Sequence, residues 1–340
     1  MTIEQIKNLV AGPEYEFLRK DPHLGDRVMF LTLGGSHAYG TNTDTSDVDI
    51  RGCTMNNASE IVGLSNFEQF VETNTDTTVY SFNKLISLLL NCNPNTIEML
   101  GCKPEHYIYM TDAGKEMLAN RKMFLSKRAL YSFGGYANQQ LNRLENALAR
   151  DRLAQAQKEE HIRRSMENSV KSFESRYTDF EAGSIRLYTD VSPRDDLDRE
   201  IFADISLTHF PARQFNGMLN DLHNVIGTYE KLNHRNHKKD DTHLNKHAMH
   251  LVRLYLMCID ILEKEEIVTY RGDDHDLLME IRSGYYQNPD GTYCPEFFEM
   301  IDDLKTRLDY AKENTSLPTH PNMKQVEEFV MEVNKRALNV

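Results

Sequence analysis

The 340-residue chain has no tryptophan and no apolar run long enough to cross a bilayer. Its most apolar stretch, HLVRLYLMCIDIL, is interrupted by Arg253 and Asp260 and reads as a buried or amphipathic helix; no membrane partner is expected. The five cysteines (Cys53, Cys92, Cys102, Cys258, Cys294) form no Cys-x-x-Cys pair and are odd in number. The simplest account is reduced thiols in a cytoplasmic protein. The first residues, MTIEQIKNLV, lack a basic region followed by an apolar run, so no secretory signal is expected. Acidic residues outnumber basic ones, 52 to 39. A net charge of −13 argues against coating nucleic acid by bulk electrostatics.

Against this background one stretch carries chemistry: GGSHAYGTNTDTSDVDIRG, from Gly34 to Gly52. RVMFLTL before it is rich in β-formers and predicts a buried strand ending at the glycine pair. Gly34 and Gly35 allow a sharp turn and a close approach of backbone N–H groups to an anion. Ser36 adds a hydroxyl donor at the first turn of a short helix, where unpaired N–H groups attract phosphate. The turn does not end in the Gly-Lys-Ser/Thr of a Walker loop.

In Asp47-Val48-Asp49-Ile50, strand alternation sends both aspartates to one face. Their Cα atoms would lie about 7 Å apart, close enough to converge on a pair of divalent ions. Mg²⁺ (or Mn²⁺) suits hard oxygen donors completed by water and substrate phosphate. Such a site wants a third carboxylate. Asp76, in the alternating stretch Asp76-Thr77-Thr78-Val79-Tyr80, is the candidate, with Glu72 as the fallback and Glu98 more distant. Arg51 either contacts a phosphate or pairs with a surface acid.

This stretch resembles the DNA polymerase β-like nucleotidyltransferase superfamily, and more narrowly the RlaP (RNA-repair-associated) and YcgL-type branch. Further matches are Asn93-Pro94-Asn95 with Glu98, FLSKRALYSFGGYANQQL from Phe124, LNKHAMHLVRLYLMCIDIL from Leu244 and IRSG from Ile281. The resemblance implies an α+β fold: a small mixed sheet with flanking helices, then a mainly helical domain that closes over the nucleotide. It implies that Gly35 and Ser36 hold triphosphate and that Asp47 and Asp49 bind two metal ions, with Asp76 the third carboxylate.

The predicted division is a catalytic domain over residues 1–120 and a mainly helical nucleotide- or substrate-binding domain over 121–340. Helices are expected at residues 2–10 and 82–92, the latter stopped by Asn93-Pro94. Phe67–Val71 is a further strand candidate. Lys84 reads as a surface lysine. Residues 141–172 have helical spacing, residues 185–188 and 201–207 predict a β-hairpin inserted in the helical domain, and helix resumes over 214–232.

Two basic segments interrupt the acidic chain. Residues 121–164 hold ten Lys/Arg against four acids, and residues 231–253 hold six Lys/Arg and five His against Asp240 and Asp241. Both fit a local phosphate-binding groove, and both fit solvated helix faces. His234, His237, His243, His247 and His250 have neither a zincin-like glutamate nor a cysteine among them, so a basic helix face is favoured over a transition-metal site. Lys246, His247 and Arg253 are its candidate nucleotide contacts, with packing as the alternative. Asp273-Asp274-His275-Asp276 reads as a loop with a helix N-cap.

The expected reaction is nucleoside monophosphate transfer from a nucleoside triphosphate to a hydroxyl, releasing pyrophosphate. An RNA 3′ end, tRNA-like or nicked, is the favoured acceptor. The rivals are AMP transfer to a protein or small molecule, and a catalytically silent nucleotide-binding regulator or antitoxin-like partner.

Overall fold

The computed structural model describes residues 1–152, 185–191, 193, 199–211, 215–223 and 241–338. They form two compact units. One comprises Met1–Asn142, Thr242–Gln287 and Tyr293–Val340, and the other Arg143–Asp241 with Asn288–Thr292. The chain thus leaves the first unit near Asn142 and returns at Thr242, in place of a single cut at residue 120. The return is driven by burial: every residue from 251 to 262 of the Asp241–Lys264 helix is buried. A sequence cut made on helical character alone does not see that this helix belongs with the sheet.

The first unit is built on a five-stranded sheet of order β3-β4-β2-β1-β5. β1 (Val28–Leu33) is buried along its whole length, as an interior strand covered on both faces must be. β2 (Ile50–Thr54) runs antiparallel to β1 and parallel to β4 (Thr77–Ser81). β3 (Gln69–Glu72) closes one edge against β4, and β5 (Tyr107–Met110) closes the other against β1, both antiparallel. β3 falls where a strand was expected, and its alternately exposed residues suit an edge. The mixture of parallel and antiparallel pairs is the small mixed sheet that the resemblance implies.

Helices flank it. Ile3–Ala11 starts with a reciprocal capping box between Thr2 and Gln5 and buries Ile6 and Val10. Phe82–Leu89 is capped by Ser81 and buries Phe82, Leu85, Ile86 and Leu89, a one-sided apolar stripe. It ends at Leu89, before Cys92. Pro94 does not stop it but opens a new turn, Pro94–Ile97, capped by the Asn93 side chain. Beyond the Asp241–Lys264 helix come His275–Ser283, Pro295–Asn314 and Met323–Leu338. Asp274 is at the N-cap of His275–Ser283 as expected, yet its side chain does not cap. It accepts from Arg271 Nε (2.8 Å), whose guanidinium also pairs with buried Asp260. All five cysteines are free, and among the described residues no helix is long and apolar enough to cross a membrane.

The second unit contains the predicted hairpin: β6 (Ile185–Val191) and β7 (Arg199–Ile205) pair antiparallel over seven residues each. Tyr188 and Phe202 face each other across it with rings stacked at 6.0 Å. Residues 215–223 are helical, and helix Gly135–Arg152 occupies the start of the long polar stretch. The remainder of both helix expectations, together with His234 and His237, lies outside the described residues.

Candidate active site

The site lies at one end of β1, β2 and β4. β1 stops at Leu33, and Gly34 caps a short helix, Gly35–Tyr39, that Gly40 ends at φ +78°. Gly35 takes φ +52°, a backbone region that favours glycine. A Cβ on Gly35 would fall on the Asp49 carboxylate, and one on Gly34 would lie 2.9 Å from Arg51 Cγ and 3.2 Å from Asp49 Cβ. The glycines therefore have a second reason to be there: they let the Asp49 side chain lie directly on the turn. The Gly34 N–H is consumed by the Asp49 carbonyl (2.8 Å), so its predicted role as an anion donor does not hold. Gly35 and Ser36 open the helix, where helix geometry gives their N–H groups no intrahelical acceptor.

Asp47 and Asp49 do not lie within a strand, as the alternation predicted. β2 begins only at Ile50. Neither neighbour runs on to pair with Asp47, because β1 turns away at Gly34 and β4 starts at Thr77. Asp49 is the last residue tied to the sheet edge, and Asp47 lies exposed in the loop before it. Asp76 likewise precedes its strand, in the turn after β3 at φ +42°. The parallel register nevertheless delivers it to the site. Ile50 pairs with Thr77 and its N–H donates to the Asp76 carbonyl (3.1 Å), so Asp49 and Asp76 come one step further along adjacent chains.

The two carboxyl groups meet there. Burial, followed by the hydrogen bond with Asp76, pushes the Asp49 carboxyl up to about 7, while Arg51 pulls the other way. The same hydrogen bond, with Arg51 assisting, holds Asp76 below the usual carboxylate range. Asp49 is the more enclosed, with 18% of its side chain accessible against 58% for Asp76. Arg51 bridges them: its Nη2 donates to Asp49 Oδ1 (3.2 Å) and Asp76 Oδ1 (3.1 Å). Arg51 is thus paired with acids, one of the two roles anticipated for it.

Other candidates fall elsewhere. Glu72 accepts from the N–H and side chain of Asn74, both at 3.1 Å, and braces the turn that carries Asp76. Lys84 pairs with Glu68 on the surface. Glu98 is buried and takes the Tyr39 hydroxyl on both oxygens, at 2.9 and 2.8 Å, so it is not a third carboxylate at Asp49. Among the described residues no group of three His, Cys, Asp or Glu side chains is placed to hold a metal ion. The expected trio of Asp47, Asp49 and Asp76 is here a contacting pair with Asp47 apart.

The Asp241–Lys264 helix divides its candidates by depth. Lys246 is exposed, and its charge is felt by Asp49. His247 is half-buried. Arg253 is not a nucleotide contact: only 2% accessible, it pairs with Glu98 (3.4 Å), lies 3.5 Å over the Tyr39 ring, and donates through Nη2 to His250 Nδ1 (2.8 Å). Seven positions separate Lys246 from Arg253, two helical turns, so they share a side at different depths. The Tyr39–Glu98–Arg253–His250 cluster was not anticipated as a unit. Its only signal in sequence was the presence of an arginine inside the most apolar helix, a residue almost never buried without a partner.

Residues 12–166 match the RlaP family, described as an RNA repair pathway DNA polymerase beta family. No curated protein matches the chain.

Proposed function

We propose that this chain, whose residues 12–166 match the polymerase β-like RlaP family, moves a nucleoside monophosphate from a nucleoside triphosphate to a hydroxyl, with pyrophosphate leaving. The observation that carries this reading is the contact of Asp49 with both the glycine turn and Asp76. A phosphate-sized anion seated at Gly35 and Ser36 would have the carboxylate pair beside it.

The residues fit a divalent ion. Two carboxylates, Asp49 and Asp76, are bridged by one guanidinium nitrogen of Arg51, and this hard, incomplete donor set suits Mg²⁺ or Mn²⁺. Asp49 and Asp76 would hold it, and Asp47, exposed in the loop before Asp49, would serve as the further carboxylate for a second ion. When bound, such ions polarise the phosphoryl oxygens and lower the pKa of the attacking hydroxyl. The chain's own groups do the rest. Gly35 and Ser36 would donate to the β- and γ-phosphates, Lys246 would add positive charge from its helix, and Asp76, the more exposed carboxylate, would take the acceptor's proton once freed from Arg51.

The acceptor we favour is an RNA 3′ end, consistent with the RNA repair description of the family. The test is incubation of the protein with labelled nucleoside triphosphates, Mg²⁺ or Mn²⁺, and a panel of nicked RNAs, tRNA and proteins. Label on RNA 3′ ends that disappears in Asp49→Asn and Asp76→Asn is the expected result. Label on protein alone would replace the acceptor. Nucleotide binding with no transfer to anything would favour a regulator.

A further inference from the structure

Arg51 occupies the carboxylate pair. Two carboxylates this close need a counter-charge, and its guanidinium supplies it with Nη2 on one oxygen of each. Nη1 is tied to the carbonyls of Asp76 (2.5 Å) and Ile50 (3.1 Å). The backbone of Arg51 is fixed in β2 between Thr32 and Thr78. Its side chain folds back past the turn, and Gly34 leaves room for it: a Cβ there would come 2.9 Å from Arg51 Cγ. An arginine cannot give up its proton to vacate such a place. It leaves only by swinging away.

We propose that Arg51 is a resident counter-cation at the Asp49–Asp76 pair, which a divalent ion must displace, and that displacement turns the guanidinium toward the phosphates of the substrate. The inference rests on reading this pair as a divalent-ion site. A guanidinium and an ion compete for the same oxygens, so each weakens the other's hold by linkage. Phosphate is the natural next partner for a released guanidinium, since it matches the donor fork. Ion loading and substrate grip are thereby joined through one side chain, and the pair is not left as an uncompensated double negative charge between turnovers.

The experiment is titration of the full-length, nucleotide-free protein with Mn²⁺, followed by the paramagnetic signal of the free ion at fixed pH and ionic strength. Arg51→Ala should bind Mn²⁺ about tenfold more tightly than the parent. Arg51→Lys, which keeps a charge but loses the fork, should fall between them. Lys246→Ala removes a charge that acts on Asp49 from further off and should shift binding less than about twofold. With Mn²⁺ saturating, Arg51→Ala should hold a non-hydrolysable nucleoside triphosphate more weakly than the parent. Thermal melts identify any variant that has not folded, in which case Arg51→Lys decides. Parent binding that is lost in Asp49→Asn but unchanged or weaker in Arg51→Ala would overturn the displacement alone. Absence of Mn²⁺ binding to every protein would overturn the ion-site reading, and this proposal with it.

Discussion

The hydroxyl of Tyr39 is shared between both carboxylate oxygens of Glu98, at 2.9 and 2.8 Å, beneath the guanidinium of Arg253. Tyr39 ends the short helix that begins at the glycine turn, and Arg253 belongs to the helix that carries Lys246. The buried pair therefore fastens the turn to the helix whose exposed lysine bears on Asp49.

Cutting that fastening should cost stability before it costs chemistry. Arg253→Met leaves Glu98 buried with its charge unpaired, and a loss of about 3–5 kcal/mol is expected in denaturant unfolding. Glu98→Gln keeps an acceptor for Tyr39 but leaves the buried Arg253 guanidinium without its carboxylate, so a comparable loss of about 3–5 kcal/mol is expected. A double-mutant cycle on the two positions should show coupling. If Arg253→Met left stability intact and weakened only nucleotide binding, the assignment of Arg253 to the core would fail.

Gly35 should not tolerate a methyl group. Alanine there meets the Asp49 carboxylate and must hold φ near +52°, a strain of about 1–2 kcal/mol. The expected result for Gly35→Ala is a modest fall in melting temperature with transfer activity reduced at least about 100-fold, because Asp49 has to move. Wild-type activity in that variant would show that Asp49 need not lie against the turn.

The carboxylates should separate by role. Asp49→Asn and Asp76→Asn each remove half of the contacting pair, and single-turnover transfer should fall at least about 100-fold in either. Glu72→Gln touches only the brace on Asn74 and should keep activity within about threefold. The reverse ranking of Asp76 and Glu72 would exchange their assignments.

Acid should destabilise the protein through His250. Burial, with Arg253 adding to it, drives this imidazole down to about 3, and its Nδ1 must stay unprotonated to accept from Arg253. In the unfolded chain it titrates near 6.5. The unfolded state therefore binds the extra proton, so the contribution is fully present above about pH 6.5 and is lost as pH falls toward 3. Urea midpoints measured from pH 7 to 4 should decline for the parent and decline less steeply for His250→Gln. Identical slopes would remove His250 as the source.

Sequence and structure divide this site along physical lines. Gly34, Gly35 and Asp49 were legible because turn geometry and close approach act over a few residues. The buried run of β1, the stripe of Phe82–Leu89 and the hairpin at 185–205 were legible for the same reason, since periodicity is local. Asp76 was harder: it was sought in a strand and lies in a left-handed turn. Only the parallel pairing of β2 with β4 carries it to Asp49.

The sequence by itself determined that a glycine turn and a closely spaced pair of aspartates stand together on an α+β domain, because both features are written within nineteen consecutive residues. Tertiary structure decided which carboxylates meet, that Arg51 sits between them, and that Lys246 stays outside while Arg253 goes into the core. Those outcomes depend on strand register and burial between segments up to about two hundred residues apart, for which loop closure leaves no local mark in sequence.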